Sequence, residues 1–408
     1  MHRSIEGYSA QPSRNCGAVG WLGCAALVRA DVKKVALNAV FLRRRMGGIE
    51  TYVRELVPAL LELEPKLAVA VLVTPSGEEA LRDEPWMDEV KIASPPILRL
   101  PLTKAISELT VVGLLADRLR ADVIHSVAMI GPVHSAAASV VTIPDVTWWR
   151  DRSAVPRSTR LLWRTCVPIG ARHAQRVVTL SQVAAQEISE DLSIPQDRID
   201  VVPLGPGTRP ETESQDGSRL RAQWDLGDGP IILAVSGLSP HKNVEVAIDA
   251  MAAIRARRPN AVLVVPGNVT AYASTLTARA RALGVEQIVR FPGWVSSAQL
   301  EGLYQEASCL VFPSRREGFG LPLLEAMARG LPVICAHASA MPEVAGDAAL
   351  YFDPDSADDL ARAVDRVLSD DALAEDLAAA GRQRAAQFSW RRAAEEHLQI
   401  YERAVRER

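Results

Sequence analysis

The sequence is poor in the features that would set it apart from ordinary globular enzymes. Its five cysteines are scattered over 408 residues without a Cys-x-x-Cys pair. That excludes a disulfide framework and a zinc-finger type of site, and it fits a reducing compartment. Neither sign of charge dominates: 46 Lys plus Arg stand against 49 Asp plus Glu. The chain is therefore neither a strongly basic nucleic-acid binder nor an acidic disordered tail. Long hydrophobic runs are missing too. The longest stretch without Asp, Glu, Lys or Arg, residues 123–144, is interrupted by His125, Pro132, His134 and Pro144. A membrane-spanning helix needs about 20 mostly apolar residues, so this stretch reads as two buried strands joined by a turn. Residues 16–28 are apolar, and Leu22, Gly23 and Cys24 have the look of a lipoprotein cleavage box. Glu6 breaks the basic region before them, however, and three glycines and two cysteines break the apolar stretch. Residues 1–30 are expected to form a flexible extension, or to reflect an upstream start codon, before a domain that opens near residue 31.

What is present is an alternation of short apolar runs with amphipathic segments. Strands are expected over 34–40, 67–73, 122–125, 139–143, 176–180 and 198–202. A second series covers 231–235, 261–265, 288–291, 309–312 and 333–335. After Gly47 and Gly48, apolar residues at Ile49, Tyr52, Val53, Leu56, Val57 and Leu60 follow one helix face, with Pro58 expected to kink it. The stretch 205–229 is rich in Gly, Pro, Ser, Thr and charge and reads as a linker. Residues 357–408 read as helical, with breaks near Gly381 and at Phe388 and Ser389. Continuously apolar strands separated by helices predict parallel sheets covered on both faces. The expected fold class is thus α/β, with two Rossmann-like doubly wound domains facing across a cleft. The boundaries are 31–205 for the first domain, 206–229 for the linker and 230–387 for the second domain, with a last helical segment over 388–408. Ligands of such sheets bind beyond the carboxyl ends of the strands, which singles out the loops after Val40, Ile143, Val235 and Phe312.

Three loops carry chemistry. In the first, Arg43, Arg44, Arg45 and Met46 precede Gly47 and Gly48, which open a helix; glycines there let backbone amides approach an anion at a positive helix end. In the second, Ser236 and Gly237 leave a strand, and His241, Lys242 and Asn243 stand just before the next helix. A lysine beside a helix start suits a diphosphate. In the third, the strand SCLVFPS delivers Glu317, then a Gly318, Phe319, Gly320 turn, then Leu321 and a helix opening at Pro322, a favoured first position. Glu325 follows about one turn later. Glu317 can accept hydrogen bonds from sugar hydroxyls and Glu325 from a ribose diol. Each feature alone also has a plain structural explanation, such as a strand-to-helix turn or a helix-start charge.

Together these segments are recognisable. The GGIE helix start, the SPHKN loop, the run FPGWVSSAQLEGLYQEASCLVFPSRREGFGLPLLEAMARGLPVICA and the later PEVAGDAALYFDPD resemble the retaining, metal-independent GT-B glycosyltransferases known as glycosyl transferases group 1, marked by a Glu-x7-Glu motif. The resemblance runs from about residue 34 to the C-terminus. It implies that Glu317 contacts donor-sugar hydroxyls and that the amides of Gly318, Phe319, Gly320 and Leu321 line the same pocket. It further implies that Glu325 holds the nucleotide ribose, that Lys242 neutralises the diphosphate, and that Gly47 and Gly48 touch it from the first domain. Trp294 and Val295 would seat the base, and the last helix would cross back onto the first domain. No cofactor and no metal are implied. The expected partners are a nucleotide-sugar donor and a glycan or lipid-linked acceptor, and the expected location is cytoplasmic, with peripheral contact at the membrane as an option.

Two departures from the family pattern stand out. Gly237 occupies the position of a frequent arginine, leaving His241 or the arginines 43–45 to supply the missing charge. The family's His-Asp strand end reads Ile143, Pro144, Asp145 here, so Asp145 remains and His125 is either a replacement for the lost histidine or a core residue. Trp148, Trp149 and Trp163 lie among Arg150, Arg152, Arg157, Arg160, Arg164, Arg172 and Arg176. That mixture suits peripheral contact with the inner membrane surface, sugar stacking, or a basic helix with packed indoles. A sugar-nucleotide epimerase and a non-catalytic nucleotide-sugar-binding partner subunit are the competing readings.

Overall fold

The computed structural model describes residues 32–94, 104–207 and 214–408. The extension expected over 1–30 lies outside the described residues, as does part of the expected linker, 208–213. In the first half the strands are β1 (Lys34–Asn38), β2 (Ala68–Leu72), β3 (Lys91–Ala93), β4 (Val123–Ser126), β5 (Ala138–Thr142), β6 (Arg176–Thr179) and β7 (Ile199–Val201). Their helices are α1 (Gly48–Leu63), α2 (Pro75–Leu81), α3 (Lys104–Arg118), α4 (Thr147–Arg150), α5 (Arg157–His173) and α6 (Gln182–Leu192). In the second half the strands are β8 (Ile231–Leu233), β9 (Val262–Pro266), β10 (Val289–Gly293), β11 (Cys309–Phe312), β12 (Val333–Ala336) and β13 (Leu350–Phe352). They are accompanied by α7 (Gly217–Trp224), α8 (Val244–Arg257), α9 (Ala273–Ala282), α10 (Ser297–Glu306), α11 (Leu321–Ala328), α12 (Met341–Ala345), α13 (Ala357–Ser369), α14 (Asp371–Ala385) and α15 (Trp390–Arg406).

The sheets run β3-β2-β1-β4-β5-β6-β7 and β10-β9-β8-β11-β12-β13, with every pairing parallel. Val35 pairs with Val69 on one side and Val123 on the other. All three are buried, which is why the central strands read as unbroken apolar runs rather than alternating ones. In each sheet the strand order reverses beside the first strand, between β1 and β4 and between β8 and β11. A doubly wound sheet opens a crevice at that point.

Several elements differ from expectation. The edge strands β3 and β13 are three residues each, too short to show a period. α1 runs through Pro58 without interruption. α14 runs through Gly381, which packs this helix closely on α11: a Cβ there would lie 3.3 Å from Met327. Within the stretch read as linker, α7 forms because Asp216 caps it through the Arg219 amide and Leu220 is fully buried. α15 returns to the first sheet. One face of it (Trp390, His397, Tyr401) is buried, and the Trp390 indole donates to the carbonyl of Pro206 at 2.8 Å.

Candidate functional site

A cleft of about 1390 Å³ lies between the carboxyl edges of the two sheets, and both halves line it. Its floor is made by two helix starts. Gly47 ends the loop after β1 at φ 65°, in the left-handed region, with open space where a side chain would stand. The Glu50 carboxylate folds back onto the Met46 amide at 3.0 Å and closes this loop. Opposite, Gly320 caps α11 at φ 102°. A Cβ on Gly48 would stand 3.7 Å from the Leu321 side chain, so the positive ends of α1 and α11 face each other across the cleft.

Between them lies an ion pair. Lys242, closing the single turn Pro240–Lys242, places Nζ 2.7 Å from Oε1 of Glu317. Ser339 holds Glu317 by its main chain: its hydroxyl donates to the Glu317 carbonyl at 2.9 Å and accepts from the Glu317 amide at 3.2 Å. Gly318 then passes so close to the first domain that a Cβ would stand 2.1 Å from the Pro144 carbonyl oxygen. Asp145 lies beside it on the cleft wall and accepts from the Thr147 amide at 2.7 Å. Glu325 is buried deeper along α11. Burial pushes its carboxyl above the usual range, and the Tyr304 hydroxyl, donating at 2.7 Å, opposes that shift. Trp294, 41% exposed, and Val295 line the mouth beyond the end of β10.

Most of the residues singled out from the sequence meet here, and two do not. His125 is fully buried under the cleft. Its Nδ1 lies 2.8 Å from the Tyr401 hydroxyl and its Nε2 2.7 Å from Thr142, so both ring nitrogens are engaged by the core. Burial holds its pKa well below the ordinary histidine value. Only Thr142 of this group reaches the cleft, and His125 is a core histidine rather than a replacement for the one missing at Pro144. Asn243 is also buried. Its amide donates to the carbonyls of Pro313 and Pro354 and braces two loops behind the site instead of facing a donor.

His241 is not a fixed charge in place of the missing arginine: burial, then the neighbouring Lys242 charge, lower its pKa, while the carboxylates of Glu317, Asp145 and Asp151 act the other way. Gly237 has open space around it, and Arg44, Arg45 and Arg316 line the same cleft. Arg316 escaped the sequence reading, although it directly precedes Glu317; it reaches Glu187 of the first half at 2.7 Å. Ser339 and Tyr304 escaped it too, because nothing in their local pattern marks them as more than a loop serine and a core aromatic. Among the described residues, no three His, Cys, Asp or Glu side chains cluster as metal ligands.

Residues 218–384 match the family described as "Glycosyl transferases group 1", and residues 46–206 match "Glycosyltransferase Family 4". An O-antigen chain mannosyltransferase B of Escherichia coli is 30% identical over 274 residues, covering 66% of this chain and 71% of the relative. An MMP alpha-(1->4)-mannosyltransferase of Mycolicibacterium hassiacum is 30% identical over 65% of this chain and 62% of its own length. Among solved structures, Anabaena Alr3699/HepE in complex with UDP-glucose superposes with a TM-score of 0.73 at 18% identity, covering 90% of this chain and 98% of that one. A sucrose-phosphate synthase from Thermosynechococcus elongatus gives a TM-score of 0.70 at 22% identity, covering 90% and 98%. With two parallel-sheet domains in this arrangement and homology along both halves, the chain belongs to the glycosyl transferases group 1 family of GT-B glycosyltransferases.

Proposed function

We propose that the protein is a retaining glycosyltransferase that moves a hexose-type sugar from a nucleotide diphosphate onto a hydroxyl of a glycan or glycolipid, without a metal ion. The observation that carries this reading is the pair of Lys242 and Glu317, 2.7 Å apart between two opposed helix starts. A diphosphate entering the cleft competes with Glu317 for Lys242 and meets the amides at the start of α1. Glu317, released from the lysine, then accepts from the sugar hydroxyls, and Glu325 accepts from the ribose. The sugar–phosphate C–O bond breaks as the acceptor oxygen bonds to the same carbon on the same face, and the hydroxyl proton passes to the departing phosphate oxygen. Lys242 and the helix ends stabilise the charge that builds on the leaving group, which is why the reading is metal-independent. Asp145 and Thr142 stand on the facing wall, where the acceptor hydroxyl must approach.

Two relatives are named as mannosyltransferases, and one structural neighbour is described with UDP-glucose. Mannose and glucose donors therefore come first in a screen. Among the described residues no helix is long and apolar enough to cross a membrane, and a nucleotide-sugar donor favours a cytoplasmic location. The test is thermal shift of the purified chain with GDP-, UDP- and dTDP-sugars, with and without EDTA, followed by release of the nucleotide diphosphate. A shift with one nucleotide family that EDTA leaves unchanged is expected. Glu317→Ala is expected to lose turnover by about a hundredfold or more, the scale of removing a charge-stabilising group, with the melting temperature nearly unchanged. A large drop in melting temperature would make Glu317 structural. Donor binding without turnover would favour the non-catalytic partner, and an isomerised nucleotide sugar the epimerase.

A further inference from the structure

We propose that the outer face of α3 and α5 seats the protein on an anionic lipid surface. α5 carries Arg157, Arg160, Arg164 and Arg172 and not one acidic residue. In its first half Leu161 is 71% exposed and Leu162 41%. Arg157 and Arg164 stand four residues before and three after Leu161, and so share its face. α3 packs beside α5 and adds Ile106 at 57% and Leu114 at 58% exposure, eight residues apart on one face. Its two acids do not offset the arginines: Glu108 is buried, and the Asp117 carboxylate accepts from Ser135 and the Ala136 amide.

Exposed aliphatic side chains flanked on α5 by Arg157 and by Arg164, whose guanidinium lies over the Trp149 ring, form a combination that an acyl–headgroup boundary accommodates: apolar tips enter, and guanidinium groups meet lipid phosphates. A second copy of this chain fits less well, because a two-fold contact would set the arginine cluster against itself. The tryptophans that drew attention in the sequence are not the anchors. Trp148 is buried, and its ring meets those of Trp149 and Trp163 edge-on. Their part is to join surface to site, since Trp163, on α5, also lines the cleft. The helix that would touch lipid thus forms part of the acceptor wall, so a lipid-linked acceptor would be met at the membrane. This last step rests on the transferase reading; the lipid seat does not.

The test is flotation of the full chain with phosphatidylcholine vesicles and with vesicles containing roughly 30% phosphatidylglycerol, at low and high salt. Binding to the anionic vesicles is expected, weakened by salt and at least about tenfold weaker on the neutral ones. Leu161→Ser with Leu162→Ser, and separately Arg157→Gln, should each lower it severalfold. Both variants should keep the wild-type melting temperature and nucleotide-induced shift, which separates failure of this proposal from failure of the transferase reading. Absence of vesicle binding, or equal binding by wild type and variants, would overturn it. So would a concentration-dependent dimer that the leucine variant abolishes without any vesicle binding.

Discussion

Tyr304 shows how one hydroxyl governs a charged group in the site. Glu325 is buried, and burial raises its pKa; the hydrogen bond from Tyr304 acts the other way and favours the charged, accepting form. Nearby, Arg329 pairs with Glu301 and also donates to the Glu325 carbonyl at 2.7 Å, which fixes the main chain at that point. Tyr304→Phe removes the side-chain restraint but keeps the packed ring. A hydrogen bond to a charged group contributes about 1.5–3 kcal/mol, so nucleotide affinity is expected to fall roughly tenfold or more. The loss should appear in donor KM and in calorimetric Kd more than in kcat. Unchanged affinity would mean that Glu325 does not touch the ribose. The two glutamates were legible in the sequence because their spacing and the turn between them are local. Tyr304 was not, because a core tyrosine looks the same whether its hydroxyl meets a carboxylate or a carbonyl. His125 was ambiguous for a related reason: its partner Tyr401 lies 276 positions away.

At the scale of elements, the strands at the centre of each sheet were legible because burial on both faces leaves them mostly apolar and free of alternation. Of the edge strands, β7 and β10 were legible, whereas Lys91–Ala93 and Leu350–Phe352 were not, being brief and partly exposed. Gly381 suggested a break in a helix and instead permits a close helix–helix approach. α15 is the element with the largest tertiary consequence. It buries His397, whose Nε2 lies 2.5 Å from the Tyr52 hydroxyl, while its Tyr401 meets His125. Burial lowers the His397 pKa to about 4 and holds His125 well below its ordinary value. Both rings are thus neutral when folded, but in the unfolded chain they take up protons as the pH falls below about 6.5. The unfolded state binds more protons between about pH 6.5 and 4, so stability is full above that window and is lost as pH falls through it. The slope is up to about 1.4 kcal/mol per pH unit for each ring. Denaturant unfolding from pH 7.5 to 5 should show that decline, and His397→Gln should flatten part of it. An equal slope in the variant would assign the decline elsewhere.

The whole molecule is held closed by contacts that surround the cleft. Arg316 reaches Glu187 on α6, and Asn268 donates to the Arg45 carbonyl, in the loop before α1, at 2.7 Å. At the centre Gly318 lies against the Pro144 carbonyl. At the start of that same helix α6, Glu343 of α12 in the second half accepts from the Gln182 amide at 2.8 and 2.9 Å and from the Val183 amide at 3.3 Å. Ser181 already caps the Ala184 amide, so the carboxylate takes amides the helix leaves unsatisfied. A carboxylate on a helix start contributes about 0.3–2 kcal/mol, enough to shift a domain equilibrium several-fold but not to fix it. Every donor contact assigned to Lys242, Glu317 and Glu325 lies in the second half, whereas Asp145 and Thr142 belong to the first. Loosening Glu343 should therefore spare these contacts, cost only those that the α1 amides make to the diphosphate from the first half, and impair most the step that needs both halves. Glu343→Gln keeps the size and removes the charge. Its expected signature is a kcat lowered severalfold, a nucleotide Kd raised by less than that, and a larger radius of gyration by small-angle scattering with donor bound. Loss of donor affinity as large as the loss of kcat would show that Glu343 supports the second domain itself rather than the contact between the two.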